Sequence, residues 1–470
     1  MADDNETEWE AWSEDRCFMY RLTLTDKNGT PFSLTEPERF LSTKAIERRH
    51  RQGFEVDSTD LPVSPLYLRQ LTEQGVSVVA VSKWNNTVLV RGNNQQRLMR
   101  LQHLPFVKDA RRVWTSPDSL KRPKRMTFHT EFNSWETIQD KPYGVTQPQI
   151  ESLNGITLHE CGFRGKGMTI AIFDGGYMNA DKIPAFRDIK ILGTRDFVIG
   201  MDGKAPSPTQ LYKELDHGTK VLSALAVNVP NIFMGTAPEA SYWLLRCEDS
   251  GTESQAEEDY WAAAAEFADS VGVDIISSSL GYHHFDDKKT NHRYAELDGQ
   301  TALISHSASM LAQKGMILIN SAGNDGMGIW KKINFPADAD DILTVGAVTP
   351  EGLNAAFCSV GPTADGRIKP DVMAYGSPTT VITGRGTIVR EIGTSFSTPL
   401  IAGLVACLWQ GLPQLSASGI IELVRKAGSN ALTPDNIMGY GIPDFMKAYR
   451  MGKTKATELN VGTSYVIRTE

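Results

Sequence analysis

From about residue 144 onward, short apolar runs alternate with helical stretches, and this alternation restricts the fold more than any other feature of the chain. The runs are Met168-Thr169-Ile170-Ala171-Ile172-Phe173, then Tyr242 to Leu245, Ile275-Ile276, Met316 to Ile319, and Ile342 to Val348. Between them the spacing predicts helices after His217, over Glu257 to Ala268, over Thr301 to Ala312, and from Ser395 to Trp409. Unbroken apolar runs are strands covered on both faces, and the helices between them return the chain to begin the next strand in parallel. The expected class is α/β: a doubly wound, mostly parallel sheet with helices on both faces. Ligands and reactive groups in such sheets gather at the carboxyl ends of the strands.

The region before it reads differently. Phe18, Tyr20, Leu22 and Leu24 alternate with Arg21, Thr23 and Thr25, the pattern of a half-buried strand. Thr35 and Glu38 have the spacing of a capping box for a helix running through Phe40, Leu41 and Ile46. Val76 to Val81 and Val88 to Val90 flank Asn85-Asn86, which predicts a hairpin. Gln95 to Leu104 reads as helix and Phe106 to Trp114 as a last strand. This order predicts a small α+β domain. The expected division is a tail (1–16), the small domain (17–115), a linker (116–143), the large domain (144–452) and a second tail (453–470). The linker is rich in Pro, Ser and charge, including Lys121-Arg122-Pro123-Lys124-Arg125, so it reads as a solvated segment that peptidases can reach.

Composition removes several function classes. The formal net charge is -8, which argues against nucleic acid as a partner. The longest apolar run, Pro399 to Trp409, falls short of the roughly 20 residues that a membrane span needs. Met1-Ala2-Asp3-Asp4 lacks the basic flank and apolar stretch of a targeting peptide. Cys17, Cys161, Cys247, Cys358 and Cys407 form no C-x-x-C pair, so they predict neither a zinc site nor a disulfide scaffold. Cys407 lies in an apolar helix pattern and reads as a small core residue.

Four segments place reactive side chains where such a sheet would use them. Asp174 ends the apolar run Ile170 to Phe173. His217 opens a helix in Asp216-His217-Gly218-Thr219-Lys220-Val221. Ser395 opens another in Gly393-Thr394-Ser395-Phe396-Ser397-Thr398-Pro399. Asn324 stands in Ser321-Ala322-Gly323-Asn324-Asp325, after the run Met316 to Ile319. Serine is a poor nucleophile until a base accepts its proton. Histidine can accept it at neutral pH and later protonate a leaving amine. A carboxylate fixes the imidazole tautomer, and preorganised donors stabilise the oxyanion. Taken singly, these residues are ordinary turn, cap and loop residues. Four in one order, each with its flanks, are not.

The order Asp, His, Ser, with DGG, DHGTKV, SAGND and GTSFSTP, resembles the subtilisin-like serine peptidases over about residues 144 to 450. The resemblance implies a subtilisin-like fold and a self-processing serine endopeptidase acting through an acyl-enzyme. Asp174 would orient, His217 would act as general acid and base, and Ser395 as nucleophile. Asn324 and the Ser395 N–H would form the oxyanion hole. Substrate would add as a strand against Ser278-Ser279-Leu280-Gly281, with Ser250-Gly251-Thr252-Glu253 on the other side. Ser279, Leu280, Gly281 and Gly251 are thus implied substrate contacts. Ala322 and Gly323 would wall the pocket for the side chain before the scissile bond, with a modest preference for an apolar one.

Three positions depart from the family pattern: Gly175, where Thr or Ser is usual, Lys220, where His is common, and Tyr375, where Pro is common. The small domain resembles the family's propeptides in size, position and strand order. That implies an intramolecular inhibitor and self-cleavage within about residues 115 to 143. Polypeptides are the implied partners, with a secreted or periplasmic location and a signal peptide absent from this chain. The resemblance implies no required cofactor. A structural calcium ion is known in many relatives, but the acidic stretch Ala337 to Asp341 has no defined ligand spacing, so no such site is assignable. His283-His284 beside Asp286-Asp287 reads as a polar loop near the cleft. Two other readings are a restricted exopeptidase and a catalytically silent peptide-binding protein. A lipase-type hydrolase would need G-x-S-x-G and the order Ser, Asp, His, which this chain lacks.

Overall fold

The apolar runs become the middle of one large sheet. The computed structural model describes residues 7–11, 16–117, 119–123, 141–199, 203 and 205–454. A small sheet comes first in the chain. Its strands are β1 (Phe18–Leu24), β2 (Ser77–Ser82), β3 (Thr87–Gly92) and β4 (Val107–Thr115), all antiparallel in the order β2-β3-β1-β4. Helices α1 (Thr43–Gln52) and α2 (Pro65–Glu73) accompany it. Asn86 has φ 50°, the left-handed turn conformation that Asn tolerates in a tight hairpin.

The large sheet holds β5 (Thr169–Asp174), β6 (Lys190–Asp196), β7 (Ser241–Arg246), β8 (Ile275–Ser278), β9 (Ile317–Ser321), β10 (Leu343–Val348) and β11 (Val372–Tyr375). Their order is β11-β10-β9-β8-β5-β7-β6, and every neighbouring pair is parallel. From β5 the chain runs to the far edge for β6, returns to place β7 between them, then crosses over and builds outward on the other side. The switch falls beside the carboxyl end of β5, where Asp174 stands. Crevices for ligands form at such points.

Alternate residues of each strand enter different cores. Ile170, Ile172, Tyr242 and Leu244 pack against α3 (His217–Ala226) and α6 (Thr394–Gly411). Ala171, Phe173, Leu245 and Ile276 pack against α4 (Ala256–Ser270) and α5 (Leu303–Gln313) on the opposite face. Cys407 is fully buried in the first of these cores, and all five cysteines are free thiols.

The structure changes several expectations. The helix foreseen from Thr35 breaks into one short turn, Pro37–Arg39, followed by α1. Ser42 caps α1, its side chain accepting from the Ala45 N–H at 3.2 Å. Without an acid at the third position, Ser42 lacked the full capping signature that Thr35 and Glu38 displayed. Strand β1 is buried on both faces rather than one. Phe18, Tyr20, Leu22 and Leu24 fill the small domain's core, while Met19 and Arg21 press against α4. Residues assigned to the tail and linker also pair, with Thr7–Ala11 antiparallel to Ser119–Pro123. The expected cleavage segment lies largely in 124–140, outside the described residues, as do 1–6, 12–15 and 455–470.

The small domain docks on the outer side of α4. Arg21 Nη2 meets Asp259 at 2.6 Å and donates to the Gln255 carbonyl at 2.7 Å. Arg48 and Arg49 meet Asp269 at 2.5 and 2.9 Å. Glu266 accepts from Ser82 Oγ and from the N–H groups of Lys83 and Trp84. The last strand, β4, ends against the predicted substrate edge, where Trp114 Nε1 donates to Thr252 Oγ1 at 3.1 Å.

Candidate active site

Asp174 reaches the site because β5 ends there, and it is fully buried. Its Oδ1 accepts from the Gly175 N–H at 2.8 Å. His217 opens α3, and its Nδ1 lies 3.0 and 2.9 Å from the two Asp174 oxygens. A carboxylate only accepts, so in the neutral imidazole Nδ1 carries the proton and Nε2 is left as the acceptor. Burial pulls the His217 pKa down, but the Asp174 charge and hydrogen bond overcome it and, with Glu248, lift it to about 9.

Ser395 lies in the first turn of α6, next to Phe396, whose ring centroid is 5.4 Å from that of His217. Its Oγ donates to the Ser279 carbonyl over a long 3.5 Å rather than to His217. Nucleophile–base contacts are often loose before substrate binds, so this rotamer does not count against Ser395 as the partner of His217. Pro399 fixes what lies beneath. It has no N–H, so the Ser395 carbonyl loses its helical donor. Ser279 Oγ supplies one instead, at 2.9 Å. The Ser395 backbone and the predicted substrate edge are thereby tied together.

Asn324 stands beside the same turn. Its Oδ1 accepts from the Thr394 N–H at 2.9 Å and from Thr394 Oγ1 at 3.0 Å. That fixes the amide, with Nδ2 free of acceptors among the described residues. Thr394 Oγ1 also accepts from the Gly323 N–H at 3.2 Å. Gly323 has φ +108°, a conformation that favours glycine. The structure thus brings Asp174, His217, Ser395 and Asn324 into one place from four distant segments.

The remaining expected residues divide. Gly281, Ala322 and Gly323 border the same place, and Ser279 touches Ser395 directly. Gly251 lies in a turn whose N–H donates to Asp249 Oδ1 at 3.0 Å, next to Thr252. Leu280 is 3% exposed, so its side chain belongs to the core and only its main chain is offered. Its carbonyl accepts from Asn320 Nδ2 at 3.2 Å.

Two departures from the family pattern find partners. A Cβ on Gly175 would lie 2.5 Å from Glu248 Oε2, so Glu248 occupies the room that a larger residue would need. Glu248 was not foreseen; the unusual glycine was its only signal. Burial and the Asp174 charge push its pKa up to about 7, against His217 and Arg246. Lys220 meets Glu391 at 2.7 Å and Asp216 at 3.5 Å, tying the histidine helix to the strand before Ser395. Tyr375 donates to the Pro350 carbonyl at 3.1 Å; nothing in the structure explains its replacing a proline.

Among the described residues, no group of three or more His, Cys, Asp or Glu is arranged to hold a metal ion. In the acidic stretch, Asp338 already accepts from Ser305 Oγ at 2.6 Å and the Gly299 N–H at 2.7 Å. His283 stacks on Trp330 with ring centroids 4.8 Å apart. Among the described residues, no helix is long and apolar enough to cross a membrane.

Residues 165–441 match the family described as the subtilase family. Residues 19–129 match the one described as the peptidase S8 propeptide domain of Bacteroidota. Similar curated proteins include subtilisin NAT of Bacillus subtilis subsp. natto, 29% identical over 277 residues, covering 58% of this chain and 62% of that protein. Subtilisin DY of Bacillus licheniformis is 27% identical over 302 residues, covering 62% of this chain and 93% of that protein. The membrane-bound transcription factor site-1 protease of Rattus norvegicus is 25% identical over 336 residues, covering 69% of this chain and 29% of that protein. The match thus spans about three fifths of the length of subtilisin NAT and under a third of that of the site-1 protease.

Proposed function

Because this chain belongs to the subtilase family, we propose that it is a serine endopeptidase, made as a zymogen whose small domain inhibits it. Ser395 Oγ attacks the peptide carbonyl while His217 Nε2 takes its proton. Asp174 holds the imidazole and stabilises its charged form. Asn324 Nδ2 and the Ser395 N–H receive the oxyanion. His217 then protonates the leaving amine, and water releases the acyl group by the same steps. The reading needs no cofactor.

The observation that carries it is the carboxylate–imidazole pair at 2.9–3.0 Å beside a serine segment locked to Asn324 through Thr394. Self-processing draws support from the contact between Trp114 and Thr252, which sets the end of β4 at the substrate edge. Secretion or a periplasmic place draws on family kinship alone. A fluorophosphonate should label Ser395 in the purified protein and leave Ser395→Ala unlabelled. Absence of labelling in the parent protein would favour the silent peptide-binding reading. The Ser395→Ala precursor should stay uncut; processing that persists in it counts against self-cleavage.

A further inference from the structure

We infer that Asn334 closes the pocket for the side chain before the scissile bond, so that the enzyme cleaves after Gly, Ala or Ser rather than after large apolar residues. This deepens the peptidase reading and rests on it. The pocket lies between two glycine-bearing segments that follow neighbouring strands, Gly281 after β8 and Gly323 after β9. Glycine walls ordinarily leave a slot. Here one side chain reaches both. A Cβ on Gly281 would lie 2.9 Å from Asn334 Cβ. One on Gly323 would lie 2.8 Å from Asn334 Nδ2 and 2.9 Å from its Cγ. Unbonded carbon atoms prefer about 3.5–4.0 Å, so a ring or branched chain between these walls would collide with Asn334.

Asn334 is not free to swing aside. It is 7% exposed. Its N–H donates to the carbonyl of Ala322, a third wall residue, at 3.0 Å. Its Nδ2 donates to Asp325 Oδ2 at 2.9 Å, and an acceptor-only carboxylate settles which end of the amide faces it. Asp325 is itself anchored, its N–H donating to Ser359 Oγ at 3.0 Å. The neighbouring His283 ring lies flat against Trp330, with Nδ1 3.9 Å from Asp325 Oδ2. The floor is therefore fixed by packing and hydrogen bonds before any substrate arrives. The apolar preference expected from the sequence came with the family resemblance, whose motifs do not include Asn334.

The test is a set of otherwise identical peptides with Ala or Phe before the scissile bond, cleaved by the purified full chain. The parent protein should favour Ala over Phe in kcat/KM by about tenfold or more, the scale on which pocket shape discriminates. Asn334→Gly should raise the Phe value by about tenfold or more and leave Ala within a few-fold, whereas Asn334→Gln should narrow selection further. Should Asn334→Gly fold poorly, Asn334→Ala opens the same depth with less backbone freedom. The Ala/Phe ratio within each variant is independent of how much protein is active. Equal cleavage after Ala and Phe by the parent, or an unchanged ratio in the opened variants, overturns the inference. Fluorophosphonate labelling run alongside separates that result from failure of the peptidase reading, which would show as an unlabelled Ser395.

Discussion

Where the small domain meets α4, Asp269 receives Arg48 at 2.5 Å, Arg49 at 2.9 Å and Lys83 at 3.5 Å. Its neighbours on that helix are equally served: Asp259 by Arg21, Glu258 by Arg21 and His292, Glu266 by two N–H groups and a hydroxyl. In the cleft the polar groups are left open. Asn324 Nδ2 and the Glu248 carboxylate have no hydrogen-bond partner among the described residues, and Ser395 Oγ has one long bond. The same chain thus keeps its polar groups in two ways. Paired charges fix one surface on another, yet water can replace each partner if the surfaces part. Open groups beside a rigid sheet wait for a ligand to complete them. The large sheet differs from both: its inner strands are covered on each face by apolar side chains and have no such exit.

Substitutions separate the two kinds of group. The largest effect belongs to the cleft. Ser395→Ala should lower kcat by about 10⁶-fold, the scale for losing a nucleophile that works as part of a unit. It should leave the midpoint of denaturant unfolding nearly unchanged, because Ser395 Oγ contributes only one long hydrogen bond. Asp269→Ala should do the reverse. It leaves Arg48 and Lys83 buried without an ion-pair partner and Arg49 with Asp60 alone, which costs about 3–5 kcal/mol. Measured in a Ser395→Ala background, it should let a protease remove the small domain sooner. Docking as stable as in the parent would show that water already relieves those cations. Asn324→Ala comes next, slowing turnover by about 10²–10³ for a lost oxyanion donor. A loss under tenfold would mean that another group receives the oxyanion.

How much of this was legible in the sequence follows from the same division. Apolar periodicity located β5, β7, β8, β9 and β10, because a buried strand must be apolar wherever it runs. It missed β6, an edge strand carrying Lys190, Arg195 and Asp196 around Gly193. It missed the second buried face of β1, since Arg21 reads as solvent-facing until Asp259 is seen opposite, 238 residues along the chain. The meeting of Asp174, His217, Ser395 and Asn324 was legible through their flanking motifs. Glu248 and Asn334 were not, because neither lies in a motif. Their effect depends on which glycine each one faces, Gly175 for one and Gly281 with Gly323 for the other. Such pairings are set by the sheet's register, not by local sequence.

Glu248 gives the smallest effect and the finest test of the contrast. Its charge helps to raise the His217 pKa, and its own pKa is pushed up to about 7. A general base works only after losing its proton, so the acid limb of kcat/KM follows His217. Glu248→Gln removes a charge that favours the imidazolium. The limb should therefore move toward lower pH, by a fraction of a unit, since Asp174 remains the stronger partner. Below about pH 7 the parent's Glu248 is itself increasingly protonated, so the two profiles should converge there. Unfolding stability should stay the same or rise, because this carboxylate has no ion pair to lose among the described residues. A move toward higher pH, or a loss of stability like that of Asp269→Ala, would place Glu248 among the paired charges rather than the open ones.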